Sequence, residues 1–197
     1  MQRLRFGFAL LAALVVIGLR ADSQTPPKQA PAGSGARFSA LAINMEAPPG
    51  AVAMPVDIVL ERWSTDQERD QVMNTLLEAG PDKLLEVMRR LPRLGSIHVP
   101  GNLGWDLRYA RHGEQEDGGE RITILTDRPI TFWEMRDRPR SVDYPFTVIE
   151  LRIGSDGKGE GRMTLGTKIM MDKATGTLIL ENYNIQQVML NNVRRDK

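Results

Sequence analysis

Residues 65–92 read TDQERDQVMNTLLEAGPDKLLEVMRRLP, and the change of period inside them decides the fold. Around this stretch apolar residues recur at every second position. Within it they recur at every third and fourth, the spacing of a helix face. Thr65 and Glu68 have the Thr-x-x-Glu spacing of a capping box. Asp66, Glu68 and Asp70 put negative charge at a helix N-terminus, where the macrodipole favours it. Val72, Met73, Leu76 and Leu77 make one apolar stripe. Gly80 and Pro81 end this helix and begin another, because proline suits the first helical position. Leu84, Leu85, Val87, Met88 and Leu91 make a second stripe. Arg89 and Arg90 complement its C-terminal end, and Pro92 stops it. The stretch predicts a helical hairpin whose stripes pack on a sheet. Neither helix is long enough to span a bilayer.

Outward from the hairpin the period is two. Val56, Ile58 and Leu60 alternate with Asp57, Val59 and Glu61, and Phe38 to Glu46 reads as a preceding strand, parted from them by Pro48-Pro49-Gly50. Beyond the hairpin, Trp105, Leu107 and Tyr109 alternate with Asp106, Arg108 and Ala110. Asp117-Gly118-Gly119 is a hairpin turn into Arg121 to Thr126. Ile130 to Met135 reads as a short strand. Thr147 to Ile153, Met163 to Met171, Thr177 to Tyr183 and Val188 to Val193 follow. The fold class is therefore α+β: an antiparallel β-sheet or barrel of about eight strands, with the helical hairpin inserted after the second strand.

The N-terminus has a separate meaning. Arg3 and Arg5 precede an unbroken apolar run, Phe6 to Leu19, with Ala21 beyond it. This is the pattern of a secretory signal peptide, too short for a comfortable span. The organisation read from sequence is residues 1–21 signal peptide, 22–36 a flexible Pro/Gly/Ser-rich linker, and 37–197 a single α+β domain. Losing Arg3, Arg5 and Arg20 takes the formal charge from +1 to −2. A near-neutral domain offers no general attraction to nucleic acid. The chain has no cysteine, which excludes disulfides, thiolate metal ligands and a cysteine nucleophile.

The residues that carry chemistry form no complete constellation. His98 and His112 with Asp106, Glu114 or Glu116 match no spacing of metal ligands, so no metal and no cofactor are expected. Ser96 and His98 share a strand face, but same-face neighbours lie too far apart for a direct bond in most rotamers. Gly157, Gly159 and Gly161 lack the helix N-terminus that a phosphate loop needs, and read as a flexible hairpin loop. Residues 127–144 hold Arg128, Arg136, Arg138 and Arg140 among Asp127, Glu134, Asp137 and Asp143, alternating in sign. Same-face alternation makes Trp105 and Tyr109 neighbours. The expected ligand-binding residues are Trp105, Tyr109, Trp133 and Arg140, where flat aromatic surface meets a guanidinium.

The segments Arg62-Trp63-Ser64-Thr65-Asp66, Leu103-Gly104-Trp105-Asp106-Leu107, Thr126-Asp127-Arg128-Pro129-Ile130 and Pro139-Arg140-Ser141-Val142-Asp143-Tyr144-Pro145-Phe146 carry a resemblance. Over about Trp63 to Arg194 the chain resembles an uncharacterised group of exported bacterial proteins. The resemblance implies a bacterial, exported setting and transfers no activity or site residue. The expectation is an exported soluble binding module without catalytic activity, periplasmic or secreted, for a small amphipathic or anionic ligand. Its partner is an unknown small molecule or an envelope protein. No nucleic acid and no stable membrane insertion after cleavage are expected. The alternatives are an envelope hydrolase using carboxylates such as Asp106, Glu134 or Asp143, and a protein-interaction domain.

Overall fold

A computed structural model describes residues 35–44, 52–101, 103–130, 143–172, 174, 177–182 and 187–196. Over these residues the chain forms β1 (Ala36–Asn44), β2 (Val52–Leu60), α1 (Asp66–Glu78), α2 (Pro81–Arg90), β3 (Gly95–His98), β4 (Trp105–Leu107), β5 (Tyr109–Glu114), β6 (Glu120–Leu125), β7 (Phe146–Ile153), β8 (Lys158–Asp172), β9 (Thr177–Asn182) and β10 (Val188–Asp196). The fold is α+β, as the alternation of periods requires. β1 begins at Ala36, one residue inside the segment read as linker. The strand expected over Ile130 to Met135 lies outside the described residues except for Ile130, which is buried and not in a strand.

All strand pairs are antiparallel, in the order β4-β3-β2-β1-β10-β8-β7-β6-β5, with β9 paired to β8 off this path. The two ends of the order, β4 and β5, are consecutive in the chain and separated only by Arg108. The sheet is thus nearly closed, its two halves joined by one bent stretch of backbone. Ser64 helps to bridge the seam: its N–H donates to the Ala110 carbonyl (2.9 Å), and its hydroxyl accepts from the Ala110 N–H (3.0 Å). Bringing β4 and β5 together at the seam limits the unpaired edges that an open sheet would expose.

One apolar cluster lies in the interior. Every strand except β9 contributes to it, including Phe38, Ile58, Ile97, Trp105, Ile124, Ile149, Met163 and Leu190. The sheet is curved tightly enough that some inward positions have no room for a side chain. A Cβ on Gly159 would stand 1.8 Å from the Arg152 carbonyl oxygen, and one on Gly161 would stand 2.6 Å from that of Glu150. Gly159 and Gly161 therefore belong to β8 and to the curvature of the sheet. The loop expected there is confined to the turn at Gly157, where φ is +76°.

A second cluster lies on the outer face. Val72 and Leu76 of α1, with Leu84 and Met88 of α2, cover Leu125, Phe146, Val148 and Ile169 of the sheet. The capping box forms as its spacing predicts: the Glu68 N–H donates to the Thr65 hydroxyl, and the Thr65 N–H donates to the Glu68 carboxylate. Arg62 adds two bonds to that carboxylate, at 2.8 and 2.9 Å. Leu77 falls off the buried stripe and is 39% exposed. Among the described residues no helix is long and apolar enough to cross a membrane.

Candidate functional site

The two aromatic residues expected to share a site do not sit together. Trp105 is part of the interior cluster, whereas Tyr109 packs against the cluster beneath the helices. The reason is the interruption at Arg108. β4 ends at Leu107, where the Leu94 N–H bonds its carbonyl, and the Arg108 N–H donates to Leu125 on the other side of the seam. That switch breaks the alternation, so Leu107 and Ala110, three positions apart, both face the interior. Burial raises the Tyr109 phenol above its usual pKa, against the opposing effect of Arg111 and Arg69. Trp133 and Arg140 lie outside the described residues.

The ends of the segment that contains them are firmly held. The Thr147 N–H donates to the Thr126 hydroxyl (3.0 Å), and the Ile130 N–H donates to the Thr147 hydroxyl (2.8 Å). Both threonines are fully buried. The Tyr144 hydroxyl bonds Glu181 of β9 at 2.7 Å.

Of the candidate catalytic groups, Asp106 is held from two sides, by Arg93 at 3.1 Å and Arg108 at 3.3 Å. Glu134 lies outside the described residues. Ser96 and His98 do meet, contrary to the expectation from their spacing: Oγ and Nε2 are 2.6 Å apart. The imidazole lies back along its own strand over Gly104, where a Cβ would stand 2.6 Å from Nδ1. Among the described residues no carboxylate lies within ion-pair distance of His98 to orient it as a base. His112 instead packs against Trp63, ring centroids 4.6 Å apart and planes tilted by 46°. Among the described residues no three histidine or acidic side chains converge on a metal position.

What the outer face does present is a trough of about 230 Å³, lined by Glu150, Arg152, Glu160, Gly161, Arg162, Gln187 and Met189. Two copies of one triplet build it, Glu150-Leu151-Arg152 on β7 and Glu160-Gly161-Arg162 on β8. Antiparallel register sets Glu150 opposite Arg162 and Arg152 opposite Glu160. Glu150 and Arg162 form an ion pair. Arg152 and Glu160 do not, and among the described residues Arg152 has no carboxylate partner. Met189 beside them is 40% exposed. The trough thus offers a guanidinium free to bond an anion next to apolar surface. Gly161 apart, no spacing in the sequence singles out these residues as a site. The repeated Glu-x-Arg was the available signal, but its meaning depends on a strand pairing that local sequence does not specify.

The fold is a nearly closed antiparallel sheet around an apolar cluster, with this polar trough on its outer face. No family model, no curated protein and no solved structure matches the chain.

Proposed function

We propose that this chain is an exported, non-catalytic binding module that takes an anionic, amphipathic ligand in the outer trough of β7, β8 and β10. The observation that carries the reading is Arg152, unpaired among the described residues at the rim of a trough that also exposes Met189. The interior positions of the described strands carry apolar side chains, which supports a site for a charged head group on the outer face. The separation of Trp105 from Tyr109 argues for the trough over the site built on those two residues. The hydrolase alternative has less support, because Asp106 is bonded by two arginines and His98 lacks an orienting carboxylate among the described residues.

The test is calorimetric titration of residues 22–197 with dodecyl sulfate below its micelle concentration, using dodecyl maltoside as the uncharged control. Saturable binding of the sulfate alone, weakened in Arg152→Gln and Met189→Ser, is the expected result. Equal binding of both amphiphiles, or no effect of Arg152→Gln, would remove the proposal. Export rests on the basic and then apolar N-terminal stretch. N-terminal sequencing of the protein from the cell exterior or periplasm should begin near Asp22, and an intact Met1 in the membrane fraction would make the segment an anchor.

The protein-interaction reading has one specific observation in its favour. Leu178, Ile179 and Leu180 on β9 are 38%, 36% and 36% exposed, Leu178 and Leu180 on one face and Ile179 on the other, and exposed apolar surface of this kind marks interaction sites. Under that reading Ile179→Asp abolishes complex formation in the cell envelope, whereas Arg152→Gln leaves it intact.

A further inference from the structure

Beside the trough, the outer face carries an arrangement that sheets ordinarily avoid. Arg121 of β6 stands directly opposite Arg152 of β7. Both are exposed, and among the described residues neither has a hydrogen-bonding or ion-pair partner. Like charges directly opposite on neighbouring strands are destabilising, with Cβ atoms only about 5 Å apart. A second such pair lies close by: Lys158 of β8 is opposite Arg194 of β10, both exposed. Among the described residues Lys158 reaches only Asp156, at 3.9 Å. Glu160 lies opposite Arg152 on its other flank without pairing to it. With the Glu150–Arg162 ion pair counted, five cations thus face three carboxylates on this outer surface. On the far flank of Arg121 stands Gly113, where an added Cβ would meet nothing within 4 Å. That side of the pair is open to a ligand.

From this juxtaposition we propose that Arg121 and Arg152 form a two-guanidinium site for a phosphate monoester, the head group of the amphipathic ligand in the trough. The inference rests on the binding reading above and names the chemistry of its anionic end. A carboxylate or sulfate monoester carries one negative charge and leaves one guanidinium uncompensated. A phosphoryl group carries about −1.5 to −2 at neutral pH, with a second pKa near 6, and offers three acceptor oxygens. Two arginines side by side meet such a group with several charge-assisted bonds at once. The ligand thus offsets the repulsion between them.

The test uses residues 22–197 with inorganic phosphate as the first probe, by calorimetry and thermal shift at matched ionic strength. Binding of inorganic phosphate should strengthen as pH rises through neutrality, where its dianion forms, and that of a monoester such as dodecyl phosphate as pH rises through about 6. Arg121→Gln and Arg152→Gln should each weaken it by more than about tenfold, while Arg89→Gln, on the exposed end of α2, should leave it unchanged. Without phosphate, Arg121→Gln should melt no lower than the parent, because the substitution relieves a repulsion. A structural role for Arg121 predicts the opposite. Phosphate affinity that is independent of pH, or that survives both substitutions, would overturn the proposal, as would a lower melting temperature of Arg121→Gln without phosphate.

Dodecyl phosphate separates this inference from the reading beneath it. Binding of dodecyl sulfate at the trough with no preference for the phosphate overturns the head-group assignment alone. Phosphate binding through both arginines without gain from the alkyl chain overturns the amphipathic reading alone. Phosphatidylcholine vesicles with and without phosphatidic acid identify the source of the monoester. Sedimentation that needs phosphatidic acid and both arginines points to a lipid. Binding of dodecyl phosphate without vesicle binding points to a soluble ester.

Discussion

Leu84→Ala tests whether the helical hairpin is held to the sheet by the outer cluster. Leu84 is fully buried with Val72, Leu76 and Met88 against Phe146, Val148 and Ile169. Truncation removes three carbons from a position enclosed by both helices and the sheet. Leucine-to-alanine changes in cores cost about 3–5 kcal/mol, less where the surroundings can settle. A two-helix layer on an outer face can move inward, so about 3 kcal/mol is expected. Leu77 supplies the internal comparison. Its spacing puts it beside the same stripe, yet it is 39% exposed, and Leu77→Ala should cost about 1 kcal/mol or less. Equilibrium unfolding in urea of residues 22–197 measures both, with the slopes compared as well as the midpoints. Equal costs would refute the assignment of the buried face. A reduced slope in Leu84→Ala would show the hairpin detaching before the barrel unfolds.

Three further outcomes follow from particular contacts. The Arg62 bonds and the Thr65 N–H hold Glu68 below its usual pKa. The stability this adds, about 1 kcal/mol, is present above the unfolded-state value of about 4.3 and is lost as pH falls through the lower folded value. The stability difference between the parent and Glu68→Gln, measured by urea unfolding at a series of pH values, should therefore close in acid and stay open at neutral pH. Tyr109 has the opposite sign, its folded pKa being raised by burial. Its contribution is complete below the unfolded value near 10 and fades as pH rises from there to the folded value, so alkaline thermal unfolding should destabilise the parent more than Tyr109→Phe. Gly159→Ala forces a Cβ toward the Arg152 carbonyl and should cost up to about 3 kcal/mol, whereas Gly113→Ala, with open space around it, should leave the melting temperature nearly unchanged.

The sequence by itself determined the class of the fold and its local punctuation. The capping box at Thr65, the break at Gly80-Pro81 and the stop at Pro92 depend on residues within a turn or two of one another, and so did the two-residue period of most strands. Three-dimensional pairing decided everything that needed a distant partner. Arg108 switches β4 to β5 only because Leu94 and Leu125 hold the two sides of the seam, and this separates Trp105 from Tyr109 despite their matching parity. Leu77 and Leu84 look alike on a helical wheel, and the sheet beneath selects which one is buried. Gly159 reads locally as a loop residue, and only the approach of β7 makes it part of a strand. The two Glu-x-Arg triplets and the opposed Arg121 and Arg152 acquire meaning from antiparallel register. Periodicity encodes which side of an element is apolar. It does not encode which residues another strand will place opposite.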